Sequence, residues 1–220
     1  MKKTLIYIAI LSLGSVVACS GPKGDKAKIA DADTITANIE GADKYVVDTA
    51  ASLVEWKGYK PTGEHNGTLK VKSGSLYIKE NTPVGGDFVI DMKSLKNLDL
   101  TDPEWNGKLT GHLRSADFFN VDSFPEANFV VTQIVRNKTG APAYFLTGNL
   151  TVKGISKRIT FGADVTATAE TFTASAPQFT VDRTEFDIRY KSNKFFTDLK
   201  DEFINDEFGL AIKLSGSKAK

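Results

Sequence analysis

Apolar and polar residues alternate with a period of two in segment after segment between Tyr45 and Ser215, and this pattern constrains the chain more tightly than any other feature. Val54, Trp56 and Gly58 alternate with Glu55 and Lys57, and Leu69 and Val71 with Lys70 and Lys72. Phe88, Ile90 and Met92 are separated by polar or charged neighbours such as Asp87 and Asp91, and Tyr144, Leu146, Leu150 and Val152 by Thr147, Asn149 and Thr151. Ile155, Ile159, Phe161 and Ala163 oppose Ser156, Arg158, Thr160 and Gly162; Phe179 and Val181 oppose Thr180 and Asp182; Phe208, Leu210, Ile212 and Leu214 close the series. Successive strand side chains point to opposite faces, so each segment reads as a strand with one dry face and one wet face. Short turn signals separate many of them, including Lys72 to Ser75, Pro83 to Gly86, Asn137 to Pro142 and Lys153-Gly154. About eight antiparallel strands of this kind must roll into a barrel or stack as a sandwich to hide the dry face. Closure into a barrel also removes the unpaired edges. Its interior then holds either packed side chains or one small ligand.

The stretch from Asp102 to Phe129 breaks the alternation. Asp102 is placed to cap a helix whose first position is Pro103, where the missing N–H costs nothing. Trp105, Leu109 and Leu113 follow at four-residue steps and share one apolar face. Gly107 and Gly111 weaken the helix, which must lean on whatever that face covers. Phe118, Phe119 and Phe124 come next, more apolar bulk than a simple connection needs, and fit a lid over a hydrophobic vessel.

This stretch also carries a resemblance. HLRSADFFNVDSFPEANF resembles the signature segment of the YceI-like family of bacterial envelope proteins with a lipocalin-like barrel, and GNLTVKGISKRITF is similar to that family's hairpin marker. The resemblance covers roughly 44–215 and implies an all-β fold: an eight-stranded antiparallel lipocalin-like barrel with a short helix and loop as lid. It further implies an activity, binding of a polyisoprenoid, isoprenoid quinone or fatty-acid derivative inside the barrel, with no catalytic role and no cofactor other than such a lipid. The opening strand departs from the family pattern, since Ala51 stands three residues after Asp48 where a His is often found.

Under that reading Trp56, Phe88, Phe129, Phe161 and Phe179 are candidate cavity walls, and Leu109, Leu113, Phe118 and Phe119 candidate lid contacts. The same aromatics serve equally well as ordinary core, and sequence does not separate a filled barrel from a hollow one. His112 and Arg114 allow two roles: donors to a ligand headgroup at the mouth, or a structural turn in which Arg114 pairs with Asp117 or Asp122. A ligand-free interaction module displayed on a membrane is the alternative function.

At the amino end, Lys2 and Lys3 precede an apolar run from Leu5 to Leu13, and Val16-Val17-Ala18-Cys19 fits a bacterial lipobox. The run is too short for a permanent span. The expectation is a signal peptide over 1–18 and acylation of Cys19, the one cysteine in the chain. That composition leaves no disulfide and no catalytic thiol. Residues 20–43 contain no aromatic and read as a flexible tether. It would hold the 44–216 domain roughly 27 Å from the bilayer. A short helix over Ala27 to Ile39 is the competing reading of that stretch. Removing Lys2 and Lys3 leaves 26 basic against 27 acidic residues, a balance that argues against a nucleic-acid partner. The expected address is the cell envelope, facing the periplasm, on the outer rather than the inner membrane because Ser20 follows Cys19 where an Asp would favour retention. A homodimer stays open.

Neither His65 nor His112 belongs to a metal or nucleophile motif. The acids between Asp198 and Glu207 lack the order of a calcium loop, and the interleaved Phe196, Leu199, Phe203 and Ile204 suggest one docked apolar side.

Overall fold

The computed structural model describes residues 21–220; the expected signal peptide and Cys19 lie outside them. The described residues form eleven strands: β1 (Asp25–Lys26), β2 (Lys28–Asp31), β3 (Asp43–Val47), β4 (Leu53–Lys60), β5 (Gly63–Lys79), β6 (Thr82–Asn97), β7 (Glu126–Arg136), β8 (Tyr144–Val152), β9 (Ile155–Ala167), β10 (Thr171–Asp182) and β11 (Glu207–Lys218). From β3 onward they follow the alternation. A helix, α1 (Pro103–Arg114), links β6 to β7. Among the described residues no helix is long and apolar enough to cross a membrane. Tight turns fix the hairpin registers. Glu80-Asn81 between β5 and β6, and Lys153-Gly154 between β8 and β9, both take positive φ, the backbone that matches strand twist in two-residue hairpins.

Strands β5 to β11 pair in antiparallel sequence, and β11 returns to β3 and β4, both of which also pair with β5. Strands β3 and β4 therefore share one wall position and complete a closed barrel of eight staves. Inward residues from every stave, among them Leu69, Val71, Leu76, Leu146, Leu150, Ile159, Phe161, Phe172 and Phe179, form one buried apolar cluster.

The wall has one seam. Strands β9 and β10 pair directly only over Asp164–Ala167 and Phe172–Ser175, then part. The amino-terminal segment fills the split. Asp25 and Lys26 run parallel to Phe179 and Thr180 on β10, and Lys28 to Asp31 run antiparallel to Thr160 to Lys157 on β9. Ala27 is buried between them, and its N–H donates to the Thr180 carbonyl at 2.9 Å. Arg158 then holds Asp33 through both carboxylate oxygens at 3.0–3.1 Å, and the Asp33 N–H donates to Asn149 Oδ1. Neither the flexible tether expected for this stretch nor its helical alternative is what forms over 25–33. A polar, aromatic-free segment gains order here by supplying backbone groups to two edges that would otherwise be bare.

All connections that matter for the interior gather at one end of the barrel: α1, the β4–β5 and β8–β9 hairpins, and the long connection from Arg183 to Asp206. At the other end Tyr45 is buried, donates its hydroxyl to the Thr168 carbonyl at 2.8 Å and sets its ring edge-on against Phe172.

Candidate functional site

The barrel is hollow. An apolar cavity of about 330 Å³ runs along it, from Leu76, Val165 and Phe172 to α1 and the loop ahead of β11. That volume lies near the lower end of the range for small-molecule sites. Trp56, Phe88, Phe129, Phe161 and Phe179 from the strands, Leu109 and Leu113 from α1, and Phe118 and Phe119 from the following loop all line it.

The rings form a continuous wall. Phe161 and Phe179 stack in parallel with centroids 4.4 Å apart, across the seam where their strands have separated. Phe129 reaches Phe161 at 5.4 Å although β8 lies between their strands. Gly148 on β8 permits that reach, since a Cβ there would come within 2.6 Å of the Phe129 ring. Gly67 does the same for Trp56, whose indole lies over it and donates to the Lys96 carbonyl at 3.1 Å. In both places the missing side chain lets a large ring lie against the wall instead of projecting into the cavity.

The mouth is built by α1. Asp102 Oδ1 accepts from the Glu104 and Trp105 N–H groups at 2.9 and 3.1 Å, and Pro103 opens the helix as expected. The shared apolar face is only partly used. Leu109 and Leu113 turn to the cavity half-buried, whereas Trp105 is 60% exposed under the Lys108 ammonium. Phe124 leaves the mouth and packs over Gly154 in the β8–β9 turn.

His112 and Arg114 do not line the cavity. Arg114 Nη2 donates to the Lys93 and Leu95 carbonyls at 2.9 and 2.8 Å and thereby ties the end of α1 to β6. The acids Asp117 and Asp122 are not its partners; strand carbonyls some twenty residues earlier are. His112 lies 3.0 Å from Asp117 Oδ2 and sets its ring edge-on to Phe118 and Tyr190. Both side chains are committed to holding the lid.

Apart from Ser175 on β10, the polar groups that reach the lining come from the β4–β5 hairpin and the Arg183–Asp206 connection: Lys57, Lys60, His65, Arg183 and Asn205. Lys57 pairs with Glu64 at 2.6 Å, and His65 Nδ1 lies 2.7 Å from Asp99. The desolvation of Asp99 raises its pKa, but hydrogen bonds from the Asn66 N–H, His65 and Asn97 prevail and hold it below the ordinary carboxylate value. Sequence reasoning missed this rim: Lys60 and His65 continue the inward phase of Trp56 and Leu69, and only the closed barrel shows that this phase ends at the opening.

The connection after β10 is latched and holds only two short 3-10 turns, Arg183–Phe186 and Lys200–Glu202. Buried Arg183 donates to the carbonyls of Asn205, Ile188 and Ile204, while Asp206 lies 3.5 Å from Nη2. Burial pushes the guanidinium pKa down, though a group so basic stays charged. Asp182 caps the turn at Thr184 and pairs with Lys194. The expected docked side of the Phe195 to Phe208 segment forms only in part: Phe196 is exposed beside Phe195, Leu199, Phe203 and Ile204 are half-buried, and of these Ile204 reaches the cavity. Of the acids there, Glu202 pairs with Lys191, Asp206 lies beside Arg183 and Glu207 pairs with Lys26, while Asp198 and Asp201 are exposed.

A closed eight-stranded barrel with a hydrocarbon interior, a helical lid and a polar rim at one end defines a lipocalin-like architecture. The chain belongs to the YceI-like domain family, whose model matches residues 45–215. A UPF0312 protein of Photorhabdus laumondii is 32% identical over 99 residues, 45% of this chain and 47% of its own length. One from Yersinia enterocolitica is 42% identical over 100 residues, 46% of this chain and 48% of the relative. The chain thus matches about half the length of these curated relatives. Among solved structures, Burkholderia cenocepacia BcnA superposes with a TM-score of 0.59 over 77% of this chain and 98% of that one, at 22% identity. A polyisoprenoid binding domain from Saccharophagus degradans, implicated in plant cell wall breakdown, does so with a TM-score of 0.56 over 80% and 98%, at 14% identity. At such identities the likeness is one of fold.

Proposed function

We propose that this protein is an envelope lipoprotein, anchored through acylated Cys19, that carries one long-chain amphiphile in its barrel for storage, transport or stress protection. The amphiphile is a polyisoprenoid, an isoprenoid quinone or a fatty-acid derivative. The cavity carries the reading: its walls offer hydrocarbon along the barrel and, Ser175 apart, polar side chains at one end, which suits a long apolar chain with a single polar head. The Saccharophagus domain, described as polyisoprenoid binding, points the same way. A ligand-free module would have no use for an interior kept hollow by Gly67 and Gly148.

Each buried methylene-sized group contributes about 0.8 kcal/mol, so ten of them gain about 8 kcal/mol gross. Lost freedom on association offsets several kcal/mol of this. Affinity therefore rests on the wall, and the head supplies orientation. Lys60 and His65 replace His112 and Arg114 as the groups beside it.

The test is displacement of a fluorescent polyene or quinone, after native mass spectrometry of the purified protein has identified any bound hydrophobic mass. Wild type should bind one chain. Phe161→Asp, checked for folding by circular dichroism, should lose binding altogether because a carboxylate would stand in the ring wall. Failure of wild type to hold any long-chain ligand would remove the carrier function.

A further inference from the structure

An apolar cargo has to reach the cavity without crossing water, and the first described residues bear on how it does so. The Lys23 carbonyl accepts from Gln178 Nε2, and the same nitrogen lies 2.7 Å from the Tyr59 hydroxyl, under the hairpin that borders the mouth. Lys23 stands four positions after Cys19, a leash of at most about 14 Å. Along β10, Gln178 stands four residues from the mouth end at Asp182 and seven from the far end at Thr171. At about 3.3 Å per residue these are about 13 and 23 Å. An acyl anchor on Cys19 can therefore bring the mouth end to the bilayer surface and cannot bring the far end there.

The mouth end is dressed for that surface. Trp105 and Leu98 are each 60% exposed beside the cavity entrance, and Phe195 and Phe196 are bare on the connection that supplies Ile204 and Asn205 to the lining. The two elements meet through His112 and Tyr190, whose rings stand 4.7 Å apart. Lys108 lies over Trp105 and Arg189 over Phe195, the pairing of aromatic body and cationic tip that suits the headgroup layer. Exposure alone does not choose the end, since Val135 and Phe145 are bare at the opposite one. The leash chooses it.

We propose that the rim formed by Leu98, Trp105, Phe195 and Phe196 docks into the interface of the phospholipid bilayer that holds the acyl chains of Cys19. The mouth then faces the membrane, and cargo passes between bilayer and cavity without entering water. The inference rests on the anchoring reading, and its test separates the two.

The chain contains two tryptophans, one in the cavity and one on the rim. In Trp56→Phe full-length protein, Trp105 is the only indole. After reconstitution of the membrane-purified protein into vesicles of phosphatidylethanolamine and phosphatidylglycerol, its emission should shift to the blue and be quenched by brominated acyl chains. A reporter at the far end, Phe145→Trp in a background of Trp56→Phe and Trp105→Phe, should keep its emission. Intact mass gives the state of Cys19 in the same samples. Without acyl chains on Cys19 the anchoring reading falls and this inference with it. With acylation present and Trp105 unquenched, or both reporters quenched alike, the docking alone is overturned and the anchor stands.

Discussion

At the residue scale, glycines and aromatics act as pairs. Phe129 lies over Gly148 and Trp56 over Gly67, and in each case a Cβ would stand less than 3 Å from the ring and from a neighbouring carbonyl oxygen. Gly148→Ala should push Phe129 inward and cost about 1–3 kcal/mol, the usual penalty for overpacking. Urea unfolding measures the cost, and a loss of ligand capacity larger than the stability loss explains would place the ring in the cavity. Arg114 shows how a side chain expected at a headgroup can be structural. It donates to two carbonyls near the end of β6, those of Lys93 and Leu95. Arg114→Ala should lower stability by about 1.5–3 kcal/mol, the range for hydrogen bonds to a charged group, with little change in ligand affinity once folding is allowed for. A large affinity change with unaltered stability would return Arg114 to the headgroup.

At the element scale, the segment from Asp25 to Asp33 belongs to the wall, not to a leash. It replaces the missing pairing between β9 and β10 and buries Ala27 behind the Phe161–Phe179 stack. Ala27→Glu would place an unpaired carboxylate in the seam and should destabilise the barrel by about 3 kcal/mol or more. Hydrogen exchange should show the loss first in the part of β9 that borders the seam, between Lys157 and Thr160; unchanged protection there would mean the segment is only laid on the surface. The helix α1 is a lighter component. No residue in it is fully buried, and Leu109 and Leu113 give it only half a face to lean on, so glycines at 107 and 111 keep it the softest part of the roof.

At the scale of the whole molecule, carboxylates fix the ends of long connections and couple the fold to pH. Burial raises the pKa of Asp182, but hydrogen bonds from Lys194 and from the Thr184 hydroxyl and N–H outweigh it, so the folded value lies below the ordinary 3.8. Asp99 is lowered in the same sense. A depressed folded pKa stabilises the fold above the unfolded value and loses that contribution as pH falls through the folded one. Stability should therefore be flat near neutrality from these groups and drop below about pH 4. Asp182→Asn should start lower and fall less steeply over that window, read as urea midpoints across the acid range from near neutrality downward. An equal slope in the variant would mean that other carboxylates carry the acid sensitivity.

Much of this molecule was written in the sequence because strands announce themselves locally. Alternation placed Phe88, Phe161 and Phe179 on one inner face, and Asp102-Pro103 marked the start of α1, since side-chain direction and capping depend only on near neighbours. Whether that inner face enclosed space or filled it was a matter of volume between staves far apart in sequence, and only the folded barrel decided it. The same distance hid the partners of Arg114, the rim of Lys60 and His65, and the seam that draws 25–33 into the wall. A polar segment has no periodicity to show that two strand edges await it, because the signal for its order lies in the unpaired backbone of β9 and β10 and not in its own side chains.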